Sequence, residues 1–175
     1  MKKIVSNLLK TSFNSPLGLV EIEGDSFGIS KIQVREGEVV SENQETPVEL
    51  EQAVLQFKEY FAGERKHFSL KLNPSGTDFQ KKIWLALQEI PFGTTCSYLQ
   101  LSKKIGDIKA IRAVAAANGK NPLWIVVPCH RVIGTDGSLL GYAGGLWRKK
   151  WLLEHRKSYN TTDSFLNPFE YKIKI

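Results

Sequence analysis

Between Thr77 and Gly119 the chain is cut by hard stops into three short amphipathic segments, and this stretch constrains the fold more than any other. Thr77 and Gln80 have the spacing of a capping box, in which hydroxyl and amide each satisfy a backbone group that a helix start leaves open. Behind them Phe79, Ile83, Ala86, Leu87 and Ile90 share one face at helical spacing, and Pro91-Phe92-Gly93 ends the helix. Ser97 and Gln100 repeat the cap ahead of Tyr98, Leu101 and Ile105, and Gly106-Asp107 turns the chain. A third helix is predicted from Ile108 to about Ala117, with Asn118-Gly119 as its stop. Helices this short are not stable alone, so they must pack on one another. Two of them joined by a tight glycine turn have the pattern of a helix-turn-helix, a pattern that plain helical hairpins share.

The outer surface of the third helix carries the next signal. With Ile108, Ile111, Val114 and Ala115 facing inward, Lys109, Arg112, Ala113, Ala116 and Lys120 face outward. Methyl-sized side chains allow close approach to a groove, and the cations can contact phosphates. A solvated alanine-rich helix would show the same residues. Charge divides along the same line: residues 76–175 hold 15 Lys/Arg against 7 Asp/Glu, while residues 1–75 hold 9 against 11. A basic half beside a mildly acidic one is what a polyanion partner requires, and also what a merely solvated basic surface looks like.

The 175 residues, 42% hydrophobic and 24% charged, exclude a disordered or collagenous chain. No apolar run is long enough to span a bilayer, and Met1-Lys2-Lys3 is not followed by the apolar core of a signal peptide. Cys96 and Cys129 are too few for a disulfide scaffold, and with three histidines they fall short of a zinc cage. The expectation is a soluble, cytoplasmic, monomeric protein with neither metal nor cofactor. Ahead of Gly76, Val20–Glu23 and Ile29–Val34 are predicted strands, Pro47–Phe61 a helix closed by Gly63, and Phe68, Leu70 and Leu72 a further strand. Asn73-Pro74-Ser75-Gly76 is the expected boundary, giving domains 1–75 and 76–157 and a tail 158–175. No catalytic constellation precedes it.

Trp124-Ile125-Val126-Val127 has the composition of a strand buried on both faces, and it leads into Pro128-Cys129-His130-Arg131-Val132. Proline fixes the backbone beside the cysteine, and neighbouring cationic or hydrogen-bonding groups favour its thiolate. A lone cysteine at a strand end is more often inert packing; the string around it is what sets this one apart.

That string resembles the active-site signature of the O6-alkylguanine-DNA alkyltransferases, the methylated-DNA–protein-cysteine methyltransferases. The similarity continues through Pro91-Phe92-Gly93, Ser97-Tyr98, Arg112-Ala113-Val114, Asn121-Pro122, Tyr142-Ala143-Gly144-Gly145-Leu146 and Trp151-Leu152-Leu153, covering roughly residues 76–156. The resemblance implies an α/β protein: a small ribonuclease-H-like antiparallel sheet with a helix at the N-terminus, and a mainly helical, winged-helix-like domain carrying the helix-turn-helix. It implies repair of O6-alkylguanine in duplex DNA, with O4-alkylthymine as a minor substrate. The damaged nucleotide is flipped out from the minor groove, and the alkyl group moves once, irreversibly, to Cys129. In that scheme Arg112 fills the vacated stack, and Tyr98 rotates the phosphate and hydrogen-bonds the guanine. Lys109, Ala110, Ala113 and Lys120 meet the DNA. His130 acts as base through a water, and Asn121 ties the turns between recognition helix and active site. Trp124, Val132, Tyr142, Ala143 and Gly144 line the pocket.

Two residues depart from the family pattern. Arg156 stands where many members carry a glutamate that orients the histidine, and arginine has no acceptor lone pair for that role. Trp124 stands where a proline is common, and its ring is expected to narrow the pocket or stack on the base. Zinc-binding members place cysteines in the N-terminal domain, whereas this chain has none before Cys96 and only His67 there, so no metal is expected. Cys96 is expected to be a small buried side chain. Tyr171, Ile173 and Ile175 alternate with charged residues, so the tail is either an added edge strand or disordered. Two other readings are weighed: a non-catalytic damage binder of the same scaffold, which would lack the acceptor cysteine, and a cysteine hydrolase, which would leave the basic helix unexplained.

Overall fold

A computed structural model describes residues 7–41, 44–155 and 172–173. The chain divides into two compact units, residues 1–75 with 122–124, and residues 76–121 with 125–175.

The first unit is an antiparallel sheet of β1 (Leu9–Ser15), β2 (Gly18–Asp25) and β3 (Gly28–Arg35), covered by α1 (Val48–Phe61). The alternation in β2 does what its pattern requires. Val20 and Ile22 are fully buried, while Glu21 and Glu23 point outward to Arg35 and Lys10 at 2.8 and 2.9 Å. Phe57 of α1 anchors the core, its ring 5.8 Å from Phe13 and 4.9 Å from Phe68. The expected strand through Phe68, Leu70 and Leu72 is not a regular strand. It is an extended segment touching the free edge of β3 at a single bridge, Leu72 to Ile29, because the buried amide of Gln56 takes the backbone of Ser69 instead. Residues 122–124 cover the next part of that edge, with Ile32 N–H donating to Pro122 O at 2.7 Å and Trp124 N–H to Ile32 O at 3.2 Å. β1 was not anticipated, since Leu9–Ser15 mixes polar and apolar residues without a turn signal before it.

The second unit is built from α2 (Asp78–Gln88), β4 (Cys96–Ser97), α3 (Tyr98–Lys104), α4 (Ile111–Gly119), β5 (Val132–Ile133), β6 (Ser138–Leu139) and α5 (Leu146–His155), with β7 (Lys172–Ile173) beside β6. Both capping boxes form as spaced: Gln80 N–H donates to Thr77 Oγ1 at 3.2 Å and Gln100 N–H to Ser97 Oγ at 3.0 Å, with each glutamine returning the bond. The buried face of α2 centres on Ile83, Trp84 and Leu87, because the Trp84 indole N–H donates to Ala117 O of α4 at 2.9 Å. Phe79, expected on that face, stays 38% exposed. A side chain on Gly76 would run into the Trp84 ring at 2.5 Å, so this position must be glycine for the indole to seat.

α3 and α4 are joined through Gly106, whose φ of +90° favours glycine, and a 3-10 turn over Ile108–Ala110. Asp107 caps that turn by accepting from Lys109 N–H at 2.9 Å. The turn shifts the helical phase, so Ile108 is 50% exposed instead of joining Val114 in the core. The predicted strand over Trp124–Val127 is also absent. Ile125 takes φ +74°, a left-handed conformation that a β-branched residue rarely adopts, and turns the chain there. β7 runs parallel to β6; the rest of residues 158–175, and Arg156, lie outside the described residues.

Candidate active site

Cys129 sits on a 3-10 turn, Cys129–Arg131, and not at the end of a strand. Its N–H donates to Val127 O at 2.8 Å, Arg131 N–H donates to Pro128 O at 3.0 Å, and Val132 N–H closes on Cys129 O. Three side chains tie this turn to its surroundings, and a fourth fixes the loop beyond it. Asn121 Nδ2 donates to Val127 O at 2.8 Å, from a side chain that is itself buried. Arg131 Nη1 donates to Ile90 O at 2.7 Å, tying the turn to the end of α2, and its guanidinium lies 5.5 Å from the Phe92 ring centre. Lys149 of α5 donates to Val132 O at 2.6 Å and to Leu140 O at 2.7 Å. Arg148 Nη1 donates to Gly144 O at 2.8 Å, fixing the loop that follows.

The electrostatics oppose one another around the sulfur. Burial pushes the Cys129 thiol up; the Asn121 side-chain hydrogen bond, the charge of Lys149 and the backbone N–H groups of Cys129 and His130 pull it down. His130 is held well below its ordinary value, first by burial and then by Arg131 and Lys149, so its ring is neutral at neutral pH. Its Nδ1 is buried without a hydrogen-bond partner among the described residues. The Tyr98 hydroxyl is pushed up by burial and by the neighbouring Cys129, and Asn118 Nδ2 lies 3.5 Å from its oxygen. A small cleft lined by Phe92, Thr94, His130, Arg131, Leu152 and Leu153 opens beside the imidazole.

The structure therefore brings Tyr98, Asn121, Cys129 and His130 into one neighbourhood. Val132 is buried at the start of β5, Tyr142 is half-buried, Ala143 is exposed and Gly144 is buried in the turn closed by Gly145 N–H on Tyr142 O at 2.9 Å. Trp124 is buried on the segment grouped with the first unit. On α4 and the turn before it, Lys109, Arg112, Ala113, Ala116 and Lys120 are exposed and Ala110 is partly so. Cys96 is half-buried, its thiol donating to Ser97 O at 3.4 Å. Sequence reasoning passed over Lys149 and Asn118. Lys149 had a visible signal, since it shares the helical spacing of Leu146, Leu152 and Leu153 and so had to lie on the apolar face of α5. Asn118 was read only as a helix stop.

Comparison with known proteins decides the family. Residues 8–74 match the ribonuclease-like domain of the 6-O-methylguanine DNA methyltransferases, and residues 78–158 match their DNA binding domain. The chain belongs to the 6-O-methylguanine DNA methyltransferase family. A methylated-DNA–protein-cysteine methyltransferase of Methanosarcina acetivorans is 47% identical over 81% of this chain and 94% of its own length. The constitutive enzyme of that name from Bacillus subtilis is 44% identical over 77% of this chain and 86% of its own. The crystal structure of the Mycobacterium tuberculosis O6-methylguanine methyltransferase superposes with a TM-score of 0.77 at 40% identity, covering 90% of this chain and 97% of that one. The mycobacterial protein has also been crystallised in complex with DNA; that chain is 41% identical, with a TM-score of 0.77 over 86% of this chain and 93% of its own. Around Cys129 the opposing influences leave the thiol above its ordinary value, with burial the largest of them.

Proposed function

We propose that the chain repairs alkylated DNA directly, moving a methyl or other alkyl group from O6 of guanine in duplex DNA, and less readily from O4 of thymine, to its own Cys129. The observation that carries this reading is the buried Cys129 on a proline-led turn, hydrogen-bonded by Asn121 and in electrostatic reach of Lys149 and Tyr98. A sulfur buried this deeply is met only by a group inserted into the protein, so the target base must leave the stack. Extrusion costs a few kcal/mol (roughly), and less for a weakened pair. Arg112, exposed on α4 among small residues, is the side chain to occupy the gap. Lys109, Ala110, Ala113 and Lys120 set the helix against the backbone.

In the transfer the sulfur bonds to the alkyl carbon as the carbon–O6 bond breaks, and that electron pair stays on guanine. The thiol proton passes through water and His130 and ends on the departing base. A histidine whose charged form is disfavoured relays a proton without keeping it, which agrees with this order. Tyr98 hydrogen-bonds the base as charge develops on it. Val132 and Tyr142–Gly144 close around the base. Nothing among these groups cleaves a thioether, so each molecule reacts once. The protein acts as a monomer in the cytoplasm and needs neither metal nor cofactor. Among the described residues no helix is long and apolar enough to cross a membrane, and no cluster of three or more metal-ligating side chains is present.

The test is repair of a duplex containing one O6-methylguanine, followed by digestion and quantification of normal guanine. Restored guanine from the wild-type protein and none from Cys129→Ser supports the proposal; restoration by both, or repeated turnover, contradicts it.

A further inference from the structure

We propose that Lys149 is the counter-ion of the Cys129 thiolate, a buried ammonium that lowers the cost of ionising the acceptor sulfur. The proposal rests on Cys129 being the acceptor. Lys149 is fully buried on α5, and its two described hydrogen bonds go to neutral backbone carbonyls, Val132 O at 2.6 Å and Leu140 O at 2.7 Å. No carboxylate pairs with it among the described residues, and the four ion pairs found there all lie elsewhere. An ammonium withdrawn from water with only neutral acceptors is strongly penalised unless an anion stands close. One group in reach can supply that anion. Val132 is tied to Cys129 by the bond that closes the turn, its N–H donating to Cys129 O, and Lys149 holds the carbonyl of that same Val132.

The ionisable neighbours are few. The turn presents Cys129, His130 and Arg131; Tyr98 faces the sulfur from α3; α5 itself adds Arg148, Lys150, Glu154 and His155; β5 and β6 add none, and the turn between them carries Asp136, whose carboxylate accepts from Ser138. Arg131 and Lys149 both repel a proton from His130, so the histidine is a poor partner for the thiolate, and the ammonium takes that place. Burial brings Lys149 down to about 8 and Cys129 acts in the opposite direction, so the two groups favour each other's charged forms. Below that pH the ammonium is present and opposes the rise that burial imposes on the thiol, which still stays above its ordinary value. Above it the help is withdrawn, but hydroxide then ionises the thiol directly.

The measurement is the rate at which iodoacetamide alkylates Cys129 in the full-length protein between pH 6 and 10, read by peptide mass so that Cys96 is scored separately. Lys149→Gln keeps an N–H donor for the carbonyls and removes the charge. The expected result is a thiolate midpoint about one unit higher, hence alkylation about tenfold slower at pH 7.5, with the rate recovering at alkaline pH. An unchanged midpoint in a folded variant overturns the proposal and leaves Lys149 as a backbone tie. A second measurement does not depend on that variant folding: the titration of the Lys149 amine, followed by NMR of labelled lysine, in wild type and in Cys129→Ser. Coupling is reciprocal, so the amine midpoint must fall when the thiol is removed; an equal midpoint overturns the proposal. Neither measurement uses DNA. If Cys129 fails to take a methyl group from a damaged duplex, the repair reading fails by itself, while the thiol titration still reports on Lys149.

Discussion

Asn121 and Val127 are joined across the turn that precedes the cysteine: the Asn121 amide donates to the Val127 carbonyl at 2.8 Å, and the same side chain hydrogen-bonds the Cys129 sulfur. One residue just past α4 thus sets both the backbone that presents the sulfur and part of its field. Asn121→Ala strands a buried carbonyl, at a cost of about 1–3 kcal/mol. Denaturant unfolding should show that loss. The Cys129 thiol should also titrate at higher pH, and methyl transfer at pH 7.5 should slow by more than the unfolded fraction explains. A stability loss with an unshifted thiol would leave Asn121 a structural role only.

Arg112 is exposed on α4 and makes none of the side-chain ties found among the described residues, so Arg112→Ala should leave unfolding free energy within about 0.5 kcal/mol of wild type. Repair of a methylated duplex should fall at least tenfold (roughly, by loss of a gap-filling side chain whose absence exposes the cost of extrusion). Reaction with the free base O6-benzylguanine, which needs no extrusion, should stay within about threefold. Equal loss on both substrates would place Arg112 in the chemistry instead of the DNA gap.

The parts of this molecule that the sequence made legible are those where local chemistry decides. Thr77 with Gln80, and Ser97 with Gln100, each carry their helix start within four residues, and both caps form as spaced. Val20 and Ile22 alternate with glutamates, and the strand follows. What stayed hidden depends on distant partners. Trp124–Val127 has the composition of a buried strand, and no glycine warns that Ile125 will turn left-handed. Phe68–Leu72 lost its strand to the amide of Gln56, a dozen residues earlier in the chain. In the site, Cys129, His130, Tyr98 and Asn121 could be found from one resemblance, whereas Lys149 was legible only through its helical spacing with Leu146, Leu152 and Leu153, a signal masked by the basic run around it.

His130 gives a pH dependence with a definite sign. Its folded-state value lies well below the ordinary 6.5, so between those two limits the unfolded chain binds the extra proton. Stability is therefore full above about pH 6.5 and declines as the pH falls through that window. Thermal melts from pH 7.5 down to 4.5 should show the decline, and His130→Gln should flatten it relative to wild type. Parallel curves for the two proteins would contradict the assignment.

Lys109 and Lys120 are exposed and carry no ion pair among the described residues, which leaves both free for phosphates. Each replaced by alanine should weaken duplex binding about equally for damaged and undamaged DNA, and reduce the slope of log K against log salt by about 1. Fluorescence anisotropy across a salt series reads this directly. An unchanged slope would move the basic contact surface off α4.

The central claim is that one sulfur accepts one alkyl group. The most direct measurement is the intact mass of the protein after prolonged incubation with excess duplex containing O6-methylguanine, with the modified peptide then sequenced. The account predicts a gain equal to a single methyl group, located on Cys129, that stops at one equivalent. Unmodified protein, or a methyl group on Cys96 or any other residue, would contradict it.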